Sequence, residues 1–376
     1  MKIVFVCNEY PPRPHGGIGT FVHTIAQGLL QKGHQVTVVG FGESGREEMD
    51  EGIRVVTLLE SKIRYLGNLI SRLRLRRWLT MQAERGQLDI VEAPDYMGVL
   101  PFGLRGCAVV IRLHVSSTSI SLQAGRKVSA GISRYERRTL AANPNWIGVS
   151  NYVLDLTHTT FGISARRSAM IYNPVPTVPS LLPEMPDLPA RFVLYAGQVS
   201  RRKGALLLAE AARDFMASHP DVHLVYVGGE IPQNGDRPVS VLIRETVGPE
   251  LNGRVHVLGH LNREKVLACM TRAEVFAFPS CLEALPLVVL EAMKCGVPVV
   301  CTTYPPGPEI VEDGVNGLLA DPTSPRDFSE KITRLLEDSA LAHRLAVNAR
   351  QTVTERFSLE RCVDETERFY QQCLGR

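Results

Sequence analysis

Residues 279–293 read PSCLEALPLVVLEAM. They follow a short apolar run, Glu274–Phe278, of the kind that forms a strand buried on both faces. Pro286 suits the first helical turn, where its missing N–H would be unpaired anyway. Gly296 suits the position just past a helix C-terminus, and Pro298 cannot continue one. These signals predict a helix from Pro286 to Cys295. Its N-terminus offers unpaired backbone N–H groups and a partial positive charge, which suit a diphosphate. Glu283 lies just before the helix and Glu291 about a turn and a half inside it. If a sugar sits at the helix start, Glu283 can meet its hydroxyls, and Glu291, acceptor-only with two oxygens, can then take both hydroxyls of a ribose. The bland alternative is a surface helix with two solvated glutamates. The almost wholly apolar neighbours speak against it, because a buried carboxylate needs a partner.

Outward from this stretch, short apolar runs alternate with helical patterns. The strand candidates of the first half are Lys2–Cys7, Gln35–Gly40, Ile53–Leu58, Asp89–Glu92, Ala108–Leu113 and Trp146–Ser150. Those of the second half are Phe192–Ala196, Val222–Gly228, Arg254–Leu258, Glu274–Phe278 and Val297–Cys301. The expected class is α/β, with two Rossmann-like, doubly wound domains facing a central cleft. Residues 1–172 form the N-terminal domain and 191–355 the C-terminal one. Between them, residues 173–190 carry Pro174, Pro176, Pro179, Pro183, Pro186 and Pro189, which excludes regular helix and central strand and marks a linker. A last helix, within 356–376, follows the second domain.

Three further stretches fall at strand ends. Gly16-Gly17-Ile18-Gly19 precedes a helical pattern, and glycine lets backbone approach a ligand closely. It is not a dinucleotide fingerprint, because Val22 stands at the last position and the loop from Cys7 is too long. Gly197 to Gly204 reads GQVSRRKG, and its basic residues can neutralise a diphosphate leaving group. Arg201 and Arg202 read equally well as exposed charges at a helix start. His114 ends the run Ala108–Leu113. Residues 62–78, KIRYLGNLISRLRLRRW, hold six basic side chains and no acid, with leucines at helical spacing. Such a segment suits an anionic membrane surface, or else a helix that packs on the sheet with a solvated basic face.

Composition narrows the classes. A net charge of +3, from 42 Lys and Arg against 39 Asp and Glu, is too balanced for a general nucleic-acid binder, so no nucleic-acid partner is expected. The eight cysteines form no C-x-x-C pair, which suits reduced thiols in a cytoplasm. No run approaches the roughly 18–20 apolar residues of a spanning helix. There is no D-x-D and no H-E-x-x-H, so no metal or other cofactor is expected.

The 279–293 stretch resembles the E-x7-E motif of the retaining GT-B glycosyltransferases, specifically the GT4 family. Asn8-Glu9-Tyr10-Pro11-Pro12 with the glycines at 16–19, Gly197 to Gly204, Glu283 to Val300, and Pro308-Glu309 to Gly317-Leu318-Leu319 match that family in order and spacing. The resemblance implies transfer of a hexose from a nucleotide-diphospho-sugar, first of all UDP-glucose, to a glycan or lipid-linked acceptor. It implies catalytic roles for His114, Lys203 and Glu283. It implies donor contacts from Gly16, Gly17, Gln198, Arg202, Lys203, Ala284, Leu285, Pro286, Leu287 and Glu291, and a last helix that crosses back to the N-terminal domain. The chain departs from the family at Gln198, where an arginine is usual, so the second cation must come from elsewhere. Placement is expected in the cytoplasm, with 62–78 against the inner face of the plasma membrane. An epimerase of the same architecture and a non-catalytic nucleotide-sugar-binding protein are the rivals.

Overall fold

The computed structural model describes the chain except at residues 12–15, 65, 186, 231–236 and 376. It forms two compact units, one of Met1–Pro174 with Phe357–Arg376 and one of Val175–Arg356.

The first unit is built on eight strands: β1 (Lys2–Val6), β2 (Gln35–Gly42), β3 (Arg46–Asp50), β4 (Ile53–Leu59), β5 (Ile90–Pro94), β6 (Ala108–Leu113), β7 (Asn145–Gly148) and β8 (Arg167–Met170). Their order is β3-β4-β2-β1-β5-β6-β7-β8, parallel except for the β3–β4 pair. The second unit has β9 (Arg191–Ala196), β10 (Val222–Val227), β11 (Val255–Val257), β12 (Val275–Phe278), β13 (Val299–Thr302) and β14 (Leu318–Ala320). Their order, β11-β10-β9-β12-β13-β14, is that of a doubly wound nucleotide-binding sheet. In each sheet the order reverses beside the first strand, between β1 and β5 and between β9 and β12. Ligands of such sheets sit outside the carboxyl ends of the strands at that point.

The strands expected from apolar runs all form. The three that were missed lack such a run. β3 is REEMD, a charged antiparallel edge strand, whose charges guard an open edge against unwanted pairing. β8 is the edge strand RSAM, and β14 is only three residues long. The helix of the decisive stretch runs Leu287–Cys295, one residue later than expected, because Pro286 stands at the N-cap and its carbonyl accepts the first bonds. Gly296 closes the helix in the left-handed conformation, at φ 77°.

In the first unit, Phe21, Ile25 and Leu29 of the Gly17–Gln31 helix pack with Val363, Phe369 and Tyr370 of the Leu359–Leu374 helix and with Ile3, Phe5 and Ile90 of the sheet. Burying each such side chain stabilises by about 1.5–3 kcal/mol. That packing explains why the last helix counts with the first unit although it follows the second in sequence.

A buried ion pair fastens this helix. Arg112 on β6 meets Glu92 on β5 with both prongs, Nε to Oε1 at 2.7 Å and Nη2 to Oε2 at 3.2 Å. Tyr370 donates its hydroxyl to Glu92 Oε2 at 2.7 Å, and Arg112 Nη2 donates to Thr366 Oγ1 at 3.3 Å. Arg112, Glu92 and Tyr370 are each at most 2% exposed. A dry pair of this kind adds little stability over an apolar pair but is costly to break on one side. Arg112→Met alone is expected to lower stability by about 3–5 kcal/mol, and adding Glu92→Met should recover most of that loss in denaturant melts.

Candidate active site

The expected site residues fall into two groups, one on each unit. In the second unit, β9 ends at Ala196 and the segment Gly197–Gly204 leads into the Ala205–Ser218 helix. Gly204 holds φ 77°, and a Cβ there would lie 2.1 Å from the Pro279 carbonyl oxygen. Glycine is therefore required for this segment to lie against the one that follows β12. The contact brings Lys203 and Glu283, eighty residues apart, into a direct ion pair. Ser280 Oγ donates to the same carboxylate oxygen, Oε1, at 2.6 Å. Lys203 and Glu283 are only 17% and 12% exposed. Arg202 Nη1 donates to the Leu282 carbonyl at 3.1 Å, so this side chain lies along the Glu283 segment, whereas Arg201 is exposed. Gln198 accepts the Tyr195 hydroxyl through its backbone carbonyl at 2.8 Å. Ala284, Leu285, Pro286 and Leu287 form the approach to the Leu287–Cys295 helix, with Leu285 and Pro286 buried.

Glu291, on that helix, is 13% exposed and pairs with Arg263 Nε at 2.8 Å. Burial pushes its carboxyl pKa up, against the pull of Arg263 and Lys294. Glu283 and Glu291 are thus not solvated surface charges. Each carboxylate uses Oε1 within the protein, and among the described residues neither Oε2 has a hydrogen-bond partner. A mostly buried acceptor left open in this way fits ligand hydroxyls. Arg263 and Ser280 were not singled out from sequence. Ser280 stands three residues before Glu283, which was readable; nothing in the sequence links Arg263 to Glu291.

In the first unit, Gly16 and Gly19 donate their N–H groups to the two oxygens of Glu9, both at 3.1 Å. The start of the Gly17–Gln31 helix therefore already holds a carboxylate, and Gly16 N–H is committed to it. His114 follows β6, half-buried, its ring 5.4 Å from that of Phe21. Burial, with the nearby Arg112 charge, pushes its pKa down to about 3, so the imidazole is neutral and offers one donor and one acceptor. Its backbone N–H donates to Asp95 Oδ1 at 2.8 Å. Asp95 follows β5 and is fully buried, and among the described residues its Oδ2 has no hydrogen-bond partner. Burial pushes its pKa up to about 7, helped by the charge of Glu136.

The chain leaves His114 through Val115 at φ 69°, a conformation costly for a β-branched residue. What holds it there is Glu136, buried on the Ala130–Ala142 helix. It accepts the N–H groups of Met97, Ser117 and Thr118 at 3.0, 2.8 and 3.1 Å. Asp95 and Glu136 carry no local sequence signal; only the fold collects them around His114.

These shifts predict a pH signature. Asp95 keeps its proton up to about 7 when folded and loses it near 3.8 when unfolded, so its stabilisation is present below 3.8 and lost as pH rises through 7. His114 acts in the other direction, costing stability as pH falls from 6.5 toward 3. Asp95→Asn should therefore gain on the wild type between about pH 4.5 and 7.5 in denaturant melts; a constant difference across that range would contradict the buried, protonated Asp95.

Comparison with known proteins bears on the family and the fold. The family model described as Glycosyl transferases group 1 matches residues 186–352, and that of Glycosyltransferase Family 4 matches residues 15–178. Glycogen synthase of Mycobacterium tuberculosis is 26% identical over 98% of this chain and 94% of its own. Sucrose-phosphate synthase from Thermosynechococcus elongatus superposes with a TM-score of 0.77 at 22% identity, covering 99% of both chains. Anabaena HepE, solved with UDP and glucose, superposes with a TM-score of 0.75 at 20% identity, over 99% of this chain and 100% of its own. The two sheets are those of the GT-B fold, and the chain belongs to the GT4 family of glycosyltransferases.

Proposed function

We propose that this glycosyltransferase moves a hexose, with retention and without a metal, from a nucleotide-diphospho-sugar to a glycan or lipid-linked acceptor. UDP-glucose is the first donor to try, since the HepE structure holds UDP and glucose. The observation that carries the reading is the pair of half-satisfied carboxylates, Glu283 and Glu291, on either side of the start of the Leu287–Cys295 helix. Glu291 Oε2 takes the ribose and Glu283 Oε2 a sugar hydroxyl. The helix N-terminus holds the diphosphate between them. Lys203 spends one of its three N–H donors on Glu283 and keeps the others for a phosphate oxygen. Arg202, along the same segment, stands in for the arginine absent at Gln198. These positive groups oppose the charge that develops on the leaving diphosphate, the task a metal performs elsewhere. The bond from the anomeric carbon to the diphosphate breaks, the acceptor oxygen bonds to that carbon on the same face, and the acceptor proton passes to the departing phosphate. His114, neutral, orients a sugar hydroxyl.

The acceptor is proposed to be met at a membrane surface. On the Gly67–Glu84 helix, Leu75 and Leu79 face inward, fully buried. Leu66, Leu69 and Leu73 face the opposite way, 54%, 41% and 47% exposed, beside the exposed Arg76 and Arg77. Leucines opposite the packed face serve no core. With basic neighbours they suit an anionic lipid surface. Arg72, expected among those basic groups, is instead buried, donating to the Met97 and Gly98 carbonyls at 2.6 and 2.9 Å. No helix among the described residues is long and apolar enough to cross a membrane.

Incubation with sugar-labelled UDP-glucose and a glycan acceptor should yield labelled glycan of retained anomeric configuration. Free sugar as the main product, or an epimerised donor, would contradict the reading. Lys203→Ala should lower kcat about 10²–10³-fold, as loss of a preorganised charge does. For the surface, Leu69→Ser with Leu73→Ser should reduce sedimentation with anionic phospholipid vesicles, and neutral vesicles should bind the wild type weakly.

A further inference from the structure

The ribose carboxylate has a neighbour with a second attachment. Arg263, at the start of the Arg263–Arg272 helix, gives Nε to Glu291 Oε1 at 2.8 Å. The rest of its guanidinium points to the Thr177 carbonyl, Nη1 at 3.2 Å, and the Pro176 carbonyl, Nη2 at 3.5 Å. Lys294, one turn after Glu291 on the same helix, donates Nζ to the carbonyls of Val175 at 3.3 Å and Pro176 at 3.2 Å. Three consecutive carbonyls, 175–177, therefore end on the two cations that flank Glu291.

The sequence explains why those carbonyls need such partners. Pro174 and Pro176 have no N–H, so the segment cannot join a strand ladder, and the carbonyls of the buried Val175 and half-buried Pro176 must find donors elsewhere; Thr177, next to them, is exposed. A guanidinium supplies several donors in a rigid fork. One edge is spent on the carboxylate and the remainder on the proline-rich segment, which fixes the rotamers of Arg263 and Glu291 together.

We propose that Arg263 is a positioning residue for nucleotide recognition: tied to the carbonyls of Pro176 and Thr177, it holds Glu291 by Oε1 and so aims Oε2 at the hydroxyls of a ribose. The proposal rests on the reading of Glu291 as the ribose carboxylate. The charged and titratable groups around Glu291 are Arg263 from the neighbouring helix, and Lys294 and Cys295 from its own. Burial favours the protonated acid, and Arg263 is the chief group opposing it. Without Arg263 the carboxylate takes up a proton more readily as pH falls, and a protonated acid accepts ribose hydroxyls less well.

UDP, GDP and ADP are titrated calorimetrically into the full-length protein, and the tightest binder is carried forward. Arg263→Gln should weaken it about tenfold or more and make binding fall more steeply from pH 8 to pH 6 than it does in the wild type. Arg263→Lys, which keeps the charge but not the fork, should restore the wild-type pH profile with intermediate affinity. In a Glu291→Ala background, Arg263→Gln should have no further effect. Unchanged affinity in Arg263→Gln, or the same penalty with and without Glu291, would overturn the proposal and leave the ribose assignment standing. Wild-type affinity in Glu291→Ala, or no binding of any of the three to the wild type, would overturn the assignment and this proposal together.

Discussion

A parallel sheet covered by helices on both faces has no solvated face, so the chemistry of this chain is confined to the strand ends. β9, β12 and β13 are buried along their whole length apart from Arg191 at the start of β9, and the polar side chains appear within a few residues of their carboxyl ends. Lys203 and Glu283 stand after β9 and β12, the pair flanking the reversal of strand order. Asp95 and His114 stand after β5 and β6 in the other sheet, the first two strands on one side of the corresponding reversal between β1 and β5. Within each unit this restriction gathers residues far apart in sequence at the strand ends, and it makes each segment that leaves a strand end answerable for one part of the chemistry.

Charges drawn into such places must be answered, and the answers form the framework. Glu92 is met by Arg112 and Tyr370, Glu283 by Lys203 and Ser280, Glu291 by Arg263, and Glu136 by three backbone N–H groups. Glu92 and Glu136 are closed structural pieces. They brace β5 against β6 and hold the turn at Val115, fixing the backbone on which Asp95 and His114 are mounted. Glu283 and Glu291 are different, since among the described residues each keeps one oxygen without a hydrogen-bond partner. Ion pairs of this sort add little to stability, but they restrict geometry, and restricted geometry is what transfer of a sugar between two hydroxyl-rich molecules demands.

Much of this was legible in the sequence. The apolar runs marked the central strands, and Pro286 with Gly296 bracketed the decisive helix to within one residue. Glu283 and Lys203 were identifiable because their motifs follow strands directly. The charged edge strand β3 and the short β14 were not, since neither has an apolar run to betray it. Asp95, Glu136 and Arg263 were also hidden. Their roles come from contacts across 19 to 87 residues of chain that no local spacing encodes. Arg72 shows the opposite error: a basic residue in a basic stretch reads as a surface charge, yet its position on the packed face of its helix sends it to buried carbonyls. The glycines at 16–19 are legible as a backbone site, but nothing in their spacing shows that Glu9 takes the Gly16 and Gly19 N–H groups.

The proposed site makes one demand of the folded protein: the start of the Leu287–Cys295 helix, with Lys203 beside it, must hold a diphosphate whose ribose Glu291 takes. Thermal melts of the wild type with UDP, GDP and ADP, each beside its monophosphate at equal concentration, test it most directly, because a ligand that binds only the folded state raises the melting temperature. One diphosphate is expected to raise it clearly and its monophosphate much less. A mono- and diphosphate of equal effect, or no shift with any diphosphate, would contradict it.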